Sequence, residues 1–405
     1  MMYAAVFVLL GCPQPISADY EAARSTALKR PGPAGSDWAP DAILHLSHDM
    51  LGTLITKVLV HYGTLEDDIN ARVATLHPAL TVKGVTLGIG ECEECLSVRS
   101  NLEGTLGVDT AVGDTTVPLT VNALFDAKVS VDKTSAGWLL QLEPRGLKDL
   151  DVQLSGVGLG YAKTTVQQWI DSNLLAELPP QEITTLGGDD WPLRAVKVVP
   201  REASLQVHLL SRIAQGQPVP IVDATPEGWR LDVSPETLVG LAAAQAYEAG
   251  PQARDVIAIP TTLRLKEDAF ALGLRLWRLS GRGWWRDYEV TGRVNIEGGK
   301  FAFKPEDAKR LKSSKGAAFA DPLAALGQGV ILRALEDALE TTLPATHRED
   351  ADGLRTRVAA KSITGDATRV IAEGRLIVRP VPERGTRKGK RRKRRGKGKA
   401  KSKNR

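Results

Sequence analysis

An α+β fold of two tandem units, rich in antiparallel sheet, is what this sequence predicts. Three observations carry the prediction. Long segments alternate apolar and polar residues and are separated by Gly, Asp-Lys and Ser-Ala-Gly turns. Amphipathic helices interrupt them at capped positions, and the same order of elements occurs twice. Period-two patterning with short turns is the mark of an antiparallel meander.

The chain begins with an apolar run, Tyr3 to Leu10, followed by Gly11-Cys12. It is far shorter than the roughly 20 residues that span a bilayer and suits the core of a secretory signal. Behind it, Pro13 to Pro40 is rich in Pro, Ala, Ser and Gly without a period, which reads as a flexible tether. The alternative is a first strand ending in Gly-Cys, but a strand would lead into a turn and a partner. An apolar run, Leu9-Leu10-Gly11-Cys12 and a tether resemble the lipobox of bacterial lipoproteins. That resemblance implies a signal over 1–11, cleavage before Cys12, a lipid on Cys12, a lipid-anchored tether over 12–40 and residence in the cell envelope, at the periplasmic face of the outer membrane.

A first unit is expected over 41–212. Ser47 caps a helix from His48 to about Tyr62, with Asp49 in its first turn and Leu51, Leu54, Ile55, Val58 and Leu59 as its stripe. The strands LTVKGVTLGI, LSVRSNLEGTLGV, TVPLTVNALFDAKVSVD and GWLLQLEP follow. A second helix, from about Tyr161 to Leu178, sets Val166, Trp169, Ile170 and Leu174 on one face, and LRAVKVV and SLQVHLL close the unit. After a linker at 213–227 the order returns over 228–380. WRLDV leads to Ser234 as cap, Pro235 at the first helical position and a helix, then strands, a helix from about Leu323 to Leu343, and closing strands. Leu44, Leu46, Ser47, Asp49, Leu51 and Leu54 match Leu231, Val233, Ser234, Glu236, Leu238 and Leu241 at a constant offset of 187. Together with the repeated order, this reads as an internal duplication.

Two tandem units of helix, meander, long helix and closing strands resemble the tubular lipid-binding (TULIP) superfamily, typified by bactericidal/permeability-increasing protein. The resemblance covers about Asp41 to Pro380. It implies in each unit a strongly curved antiparallel sheet wrapped around a long helix, with a groove for lipid acyl chains. Carried onto this sequence, that groove is lined by Leu51, Leu54, Val58, Val166, Trp169 and Ile170, and in the second unit by Leu326, Val330 and Leu335. The alternative is that these residues simply close on each other as core, which for any single stripe position is the first reading.

Three Cys are present; with Cys12 lipidated, Cys92 and Cys95 remain in GECEECLSV. Such a CxxC is a redox pair, half a zinc site or a local disulfide. No further Cys pair or spaced His pair completes a zinc site, and Glu91, Glu93 and Glu94 disfavour a thiolate, so a structural disulfide is expected. In SGRGWWRDYE, Arg282, Trp284, Trp285 and Arg286 crowd a hairpin tip. They suit either a membrane interface with headgroup phosphates or cross-strand packing of Trp with Arg.

The 53 Lys and Arg outnumber 48 Asp and Glu, but Arg384 to Arg405 alone holds 14 basic residues and no acid. The remainder has 39 basic and 48 acidic residues, a net of −9, so the basic character lies in the tail. The tail over 381–405 cannot fold and would meet anionic headgroups or other envelope polyanions; nucleic acid is its partner only if the chain is not exported. GVGLGYAKTT has Tyr161 where a dinucleotide loop needs its third Gly, and no HExxH or GxSxG occurs. Neither a cofactor, a metal nor a catalytic set is expected. The functional expectation is a non-enzymatic lipid-binding or lipid-transfer lipoprotein. The alternative is a lipid-anchored scaffold whose sheets only pack and whose tail grips an anionic polymer.

Overall fold

The structure, a computed structural model, describes residues 16–71, 74–155, 160–177, 180–189, 191–213, 216–251, 255–281, 283–297, 300–314, 346–351 and 354–380. Cys12, Arg282, the expected helix at 323–343 with Leu326, Val330 and Leu335, and the tail at 381–405 lie outside the described residues. The fold is α+β, and every described strand pairing is antiparallel.

Helix α1 (Ile16–Ala27) comes first, then β1 (Ala42–Ser47) and α2 (His48–Tyr62). The short β2 (Leu65–Glu66) and β3 (Ile69–Asn70) precede the long meander β4 (Thr75–Ile89), β5 (Cys95–Thr110), β6 (Gly113–Lys133) and β7 (Trp138–Leu154). Helix α3 (Gly160–Glu177), β8 (Gln181–Leu186), β9 (Leu193–Pro200) and β10 (Ser204–Ser211) end the first unit. The second unit runs β11 (Trp229–Val233), α4 (Pro235–Ala249), β12 (Val256–Lys266), β13 (Ala269–Arg278), β14 (Trp284–Glu297) and β15 (Lys300–Ser313). It closes with β16 (Thr346–Ala351), β17 (Leu354–Gly365) and β18 (Val370–Pro380).

The described strands form three sheets. The first unit's sheet has the order β2-β4-β5-β6-β7-β8, with β3 also on β4, and the second unit's is β12-β13-β14-β15. A central sheet, β16-β17-β18-β11-β1-β10-β9, joins the units through the β1–β11 pair. In that pair Leu44 faces Leu231. These residues are 187 apart, so the two segments matched at that offset pair with each other in this sheet. Both helix caps are formed: Ser47 accepts from the Met50 N–H and Ser234 from the Thr237 N–H.

Length forces curvature on the first sheet. At about 3.4 Å per residue the 21 residues of β6 would reach roughly 70 Å if straight. The sheet instead curves into a half-barrel, and register shifts at Leu124/Phe125 and Phe125/Ala127 bend β6 against β7. Helix α2 lies directly on β4: a Cβ at Gly52 would sit 2.5 Å from the Val85 carbonyl oxygen. Where β2 no longer covers β4, the Val85 N–H donates to Thr56 Oγ1 at 2.9 Å. The helix thus satisfies an edge that would otherwise stand open.

The region expected to be a flexible tether is corrected in part. Ile16–Ala27 is helical and docks on α4, with Tyr20 only 4% exposed and its ring 5.5 Å from Tyr247 and 5.7 Å from Trp277. Ile16, Tyr20, Ala23 and Ala27 form one face at helical spacing, and all contact this small second core. The Pro and Gly residues cluster behind Ala27, so composition averaged across the whole segment hides the helix. Even that later part is held, since Arg194 donates to the Pro33 carbonyl and Val219 N–H to that of Pro40.

Candidate functional site

The apolar interior is the first candidate. One continuous cluster runs from Leu80, Leu102 and Phe125 of the first sheet, through Val207 and Val233 of the central sheet, to Leu272, Val290 and Phe303 of the second. Helix α3 contributes Val166 and Ile170, at 0% and 1% exposure, and Ala162 one turn earlier. Trp169 sits at the helix flank, half-buried, and its indole N–H donates to Asp67 at 2.7 Å. The α2 stripe is divided between two surfaces. Leu51 and Ile55 join the main interior, whereas Leu54 and Val58 pack on Leu376 and Val378 of β18. Sequence spacing puts these residues on one side of the helix but cannot say that two sheets share it.

A polar clamp lies on the exposed margin of the first sheet. The chain between α2 and β4 brings Asp68 to His77 Nδ1 at 2.6 Å, while Asp109 of β5 takes Nε2 at 3.0 Å. The two carboxylates hold the His77 pKa above its ordinary value, chiefly through the Asp68 hydrogen bond. With Trp169 bonded to the adjacent Asp67, this segment links α3 to the margin of the sheet.

Cys92 and Cys95 are joined by a disulfide in the turn between β4 and β5. Glu94 in that turn adopts φ 60°, and its carbonyl accepts from the Val129 N–H. Beside it opens a cavity of about 690 Å³ lined by Cys92, Asp126, Lys128, Arg145 and Lys148. Lys148 spans it, 2.9 Å from Asp126 and 3.0 Å from Glu91. Desolvation works against the Lys148 ammonium, but these bonds outweigh it and raise its pKa. So charged a lining is unsuited to acyl chains. Because the closed loop is so short, the Cys92→Ser/Cys95→Ser variant should lose no more than about 2 kcal/mol of stability. Thermal unfolding with thiol titration tests this; two free thiols or stoichiometric zinc in the native protein would overturn the structural assignment.

The Trp- and Arg-rich hairpin departs from the membrane-contact expectation. Arg286 is 2% exposed and lies over Trp284 at 5.1 Å, so it is not available to a headgroup. It shares the inward parity of Tyr288 and Val290 on β14. Trp285 stacks on Arg275 at 4.5 Å, and Asp287 fixes that guanidinium with bonds of 2.7 and 2.9 Å. The other side of Trp285 meets the small core that holds α1. This is the cross-strand packing alternative in physical form.

A polar network within the central sheet escapes sequence reasoning. Asp232, fully buried, receives Arg230 at 2.9 Å and lies 3.4 Å from His45 and 3.6 Å from Arg369. Burial opposes its charge, but the close His45 imidazole and the Arg230 hydrogen bonds prevail and lower its pKa. Desolvation and the nearby Arg201 and Lys197 depress His208 to about 4. Asp41 accepts from the Ser211 N–H and hydroxyl, both at 3.0 Å, yet burial pushes it up to about 6. The available signal is a polar residue at every second position of Leu-His-Leu, Leu-Asp-Val and Val-His-Leu; only the register shows that they converge. Among the described residues no cluster of metal-binding side chains occurs, and no helix is long and apolar enough to cross a membrane.

No family model matches the chain, and no curated protein matches it in sequence. Among solved structures it is similar to a lipopolysaccharide binding protein, at 11% identity and TM-score 0.34 over 84% of this chain and 99% of that one. It is also similar to P47 of Clostridium botulinum E1, at 9% identity and TM-score 0.37 over 84% and 100%. P47 from Clostridium botulinum A2 follows at 10% identity and TM-score 0.35 over 83% and 97%.

Proposed function

We propose that this protein is a non-enzymatic lipid-binding or lipid-transfer protein of the cell envelope, anchored through a lipid on Cys12. The observation that supports this reading is the single apolar interior that crosses from one unit to the other through the shared sheet. An ordinary two-domain protein closes two separate cores. A continuous elongated one offers the length and the dry surroundings that an acyl chain needs. The curved first sheet is covered by α2 on β4 and by α3 on β7, and in this reading the acyl chain enters beneath α3. The basic tail then adds attraction for anionic headgroups or envelope polyanions.

Native mass spectrometry of protein from its own cells tests the reading directly, with Ala162→Trp as the diagnostic variant. Ala162 lies on the inner face of α3, 6% exposed. If lipid fills the space before it, the new indole displaces lipid at unchanged melting temperature. In a closed core the same change costs about 1–3 kcal/mol through overpacking. A destabilised variant, with no lipid on either form, would replace the carrier by the lipid-anchored scaffold.

A further inference from the structure

Cys12 is separated from Ile16 by only three residues, and Ile16 begins a docked helix rather than a free tether. An extended chain covers at most about 3.5 Å per residue, so Cys12 stays within about 14 Å of Ile16. Ile16 packs against Gly283 at the β13–β14 hairpin, where a Cβ on the glycine would lie 3.0 Å from the Ile16 Cβ. Tyr20 holds the helix there through Tyr247 and Trp277. A lipid on Cys12 therefore brings this hairpin, and not an arbitrary part of the molecule, to the bilayer.

The surface at that place has the matching chemistry. Ser314 exchanges hydrogen bonds with Trp285, its N–H donating to the Trp285 carbonyl at 3.0 Å and its Oγ accepting from the Trp285 N–H at 3.1 Å. The end of β15 is thereby set beside the hairpin. Lys309, Arg310 and Lys312 are exposed on it, Leu311 is 52% exposed between them, and Arg278 is exposed at the end of β13. The neighbouring acids are mostly held by other cations: Asp287 by Arg275 and Glu289, opposite Lys309, by Arg264, with Asp19 of α1 also near Arg275, while Asp307 adjoins on β15 and Asp255 stands at the start of β12. A cluster of cations around one exposed apolar side chain fits the surface of an anionic bilayer.

We infer that the margin formed by Arg278 and Lys309–Lys312, beside Gly283, is the membrane-facing surface of the protein, held against an anionic bilayer through the docked helix α1. This rests on the reading of Cys12 as the lipid anchor. It assigns the contact to Arg278, Lys309, Arg310, Leu311 and Lys312 in place of the buried Arg286.

The test uses the full acylated chain in vesicles containing phosphatidylglycerol and a headgroup-proximal spin-labelled lipid. Ser313→Cys places a fluorophore at the margin, and Ala111→Cys places one on the exposed β5–β6 turn. The native disulfide and the acylated Cys12 leave the introduced thiol as the labelling site. Several-fold stronger quenching at 313 than at 111 is expected. Tyr20→Asp, which frees the helix, should remove that difference while the protein stays membrane-bound. Lys309→Glu/Arg310→Glu/Lys312→Glu should reduce it in phosphatidylglycerol but not in phosphatidylcholine vesicles. An acylated chain whose two labels are quenched equally overturns this inference alone. An intact mass without an acyl group overturns the anchorage reading and this inference with it.

Discussion

Asp41→Asn is expected to flatten the dependence of stability on pH between about 4 and 6. Asp41 is 2% exposed, and burial raises its carboxyl from the ordinary 3.8 to about 6 against the hydrogen bonds from Ser211 and Thr237. A carboxyl with a raised folded pKa binds a proton more readily in the folded chain than in the unfolded one. Stability is therefore greatest below about 3.8 as far as this group is concerned, falls as pH rises to about 6, and is level above that. At 1.36 kcal/mol for each pH unit, the loss is on the order of 3 kcal/mol. The neutral amide has no charge to desolvate. Equilibrium urea unfolding of both proteins at pH 4 and pH 7 isolates the effect, because other groups cancel in the difference. Parallel profiles would show that the Asp41 carboxyl is already ionised at no cost. The site matters for architecture: Asp41 carries Ser211 of β10 on its side chain while its backbone carbonyl accepts from Ser234 at the cap of α4. One residue thus ties the closing strand of the first unit to the opening helix of the second.

What the sequence discloses and what it withholds divide along one line, the difference between local and long-range information. Ser47 and Ser234 are legible as caps because the hydroxyl, the acidic first turn and the following stripe are all within a few residues. The match between the two helix entrances is legible because an offset of 187 needs only counting. That Leu44 faces Leu231 follows from strand pairing and is not written in either segment. The polar network around Asp232 is hidden for the same reason: Arg230 is its neighbour on β11, but His45 and Arg369 reach it from a different strand and a turn. The burial of Arg286 is a different case. Its parity with Tyr288 and Val290 is present in the sequence, but proximity to two Trp and a Gly-marked tip points to the surface instead. Helix α1 is obscured by the Pro-Gly residues behind it, and the partition of the α2 stripe depends on where β18 arrives.

Gly104→Ala tests the close approach on which the curved first sheet depends, and a roughly 3–5 kcal/mol loss of stability is expected. Gly104 of β5 stands opposite Leu80 of β4. A Cβ there would fall on the Ala79 carbonyl oxygen, 2.8 Å from its carbon and 3.1 Å from the Leu80 Cα. These are backbone atoms, so no rotamer change relieves the contact and the strands must separate. Separation is resisted on both sides, since Leu102 pairs with Val82 and Leu106 with Pro78. Leu80, Leu102 and Leu106 are each 1% exposed or less, so any widening opens the core beneath them. Gly84 provides the internal comparison: it lies at the register shift in β4, and nothing stands within 4 Å of its would-be Cβ. Gly84→Ala should change stability by less than about 1 kcal/mol, in either direction. Thermal and urea unfolding of the two variants side by side decide the matter, and equal midpoints would mean that β4 and β5 yield at Gly104 without disturbing the interior. A sheet that yielded so easily would not hold its curvature by backbone contact, and the shape of the first unit would then rest on α2 and α3 alone.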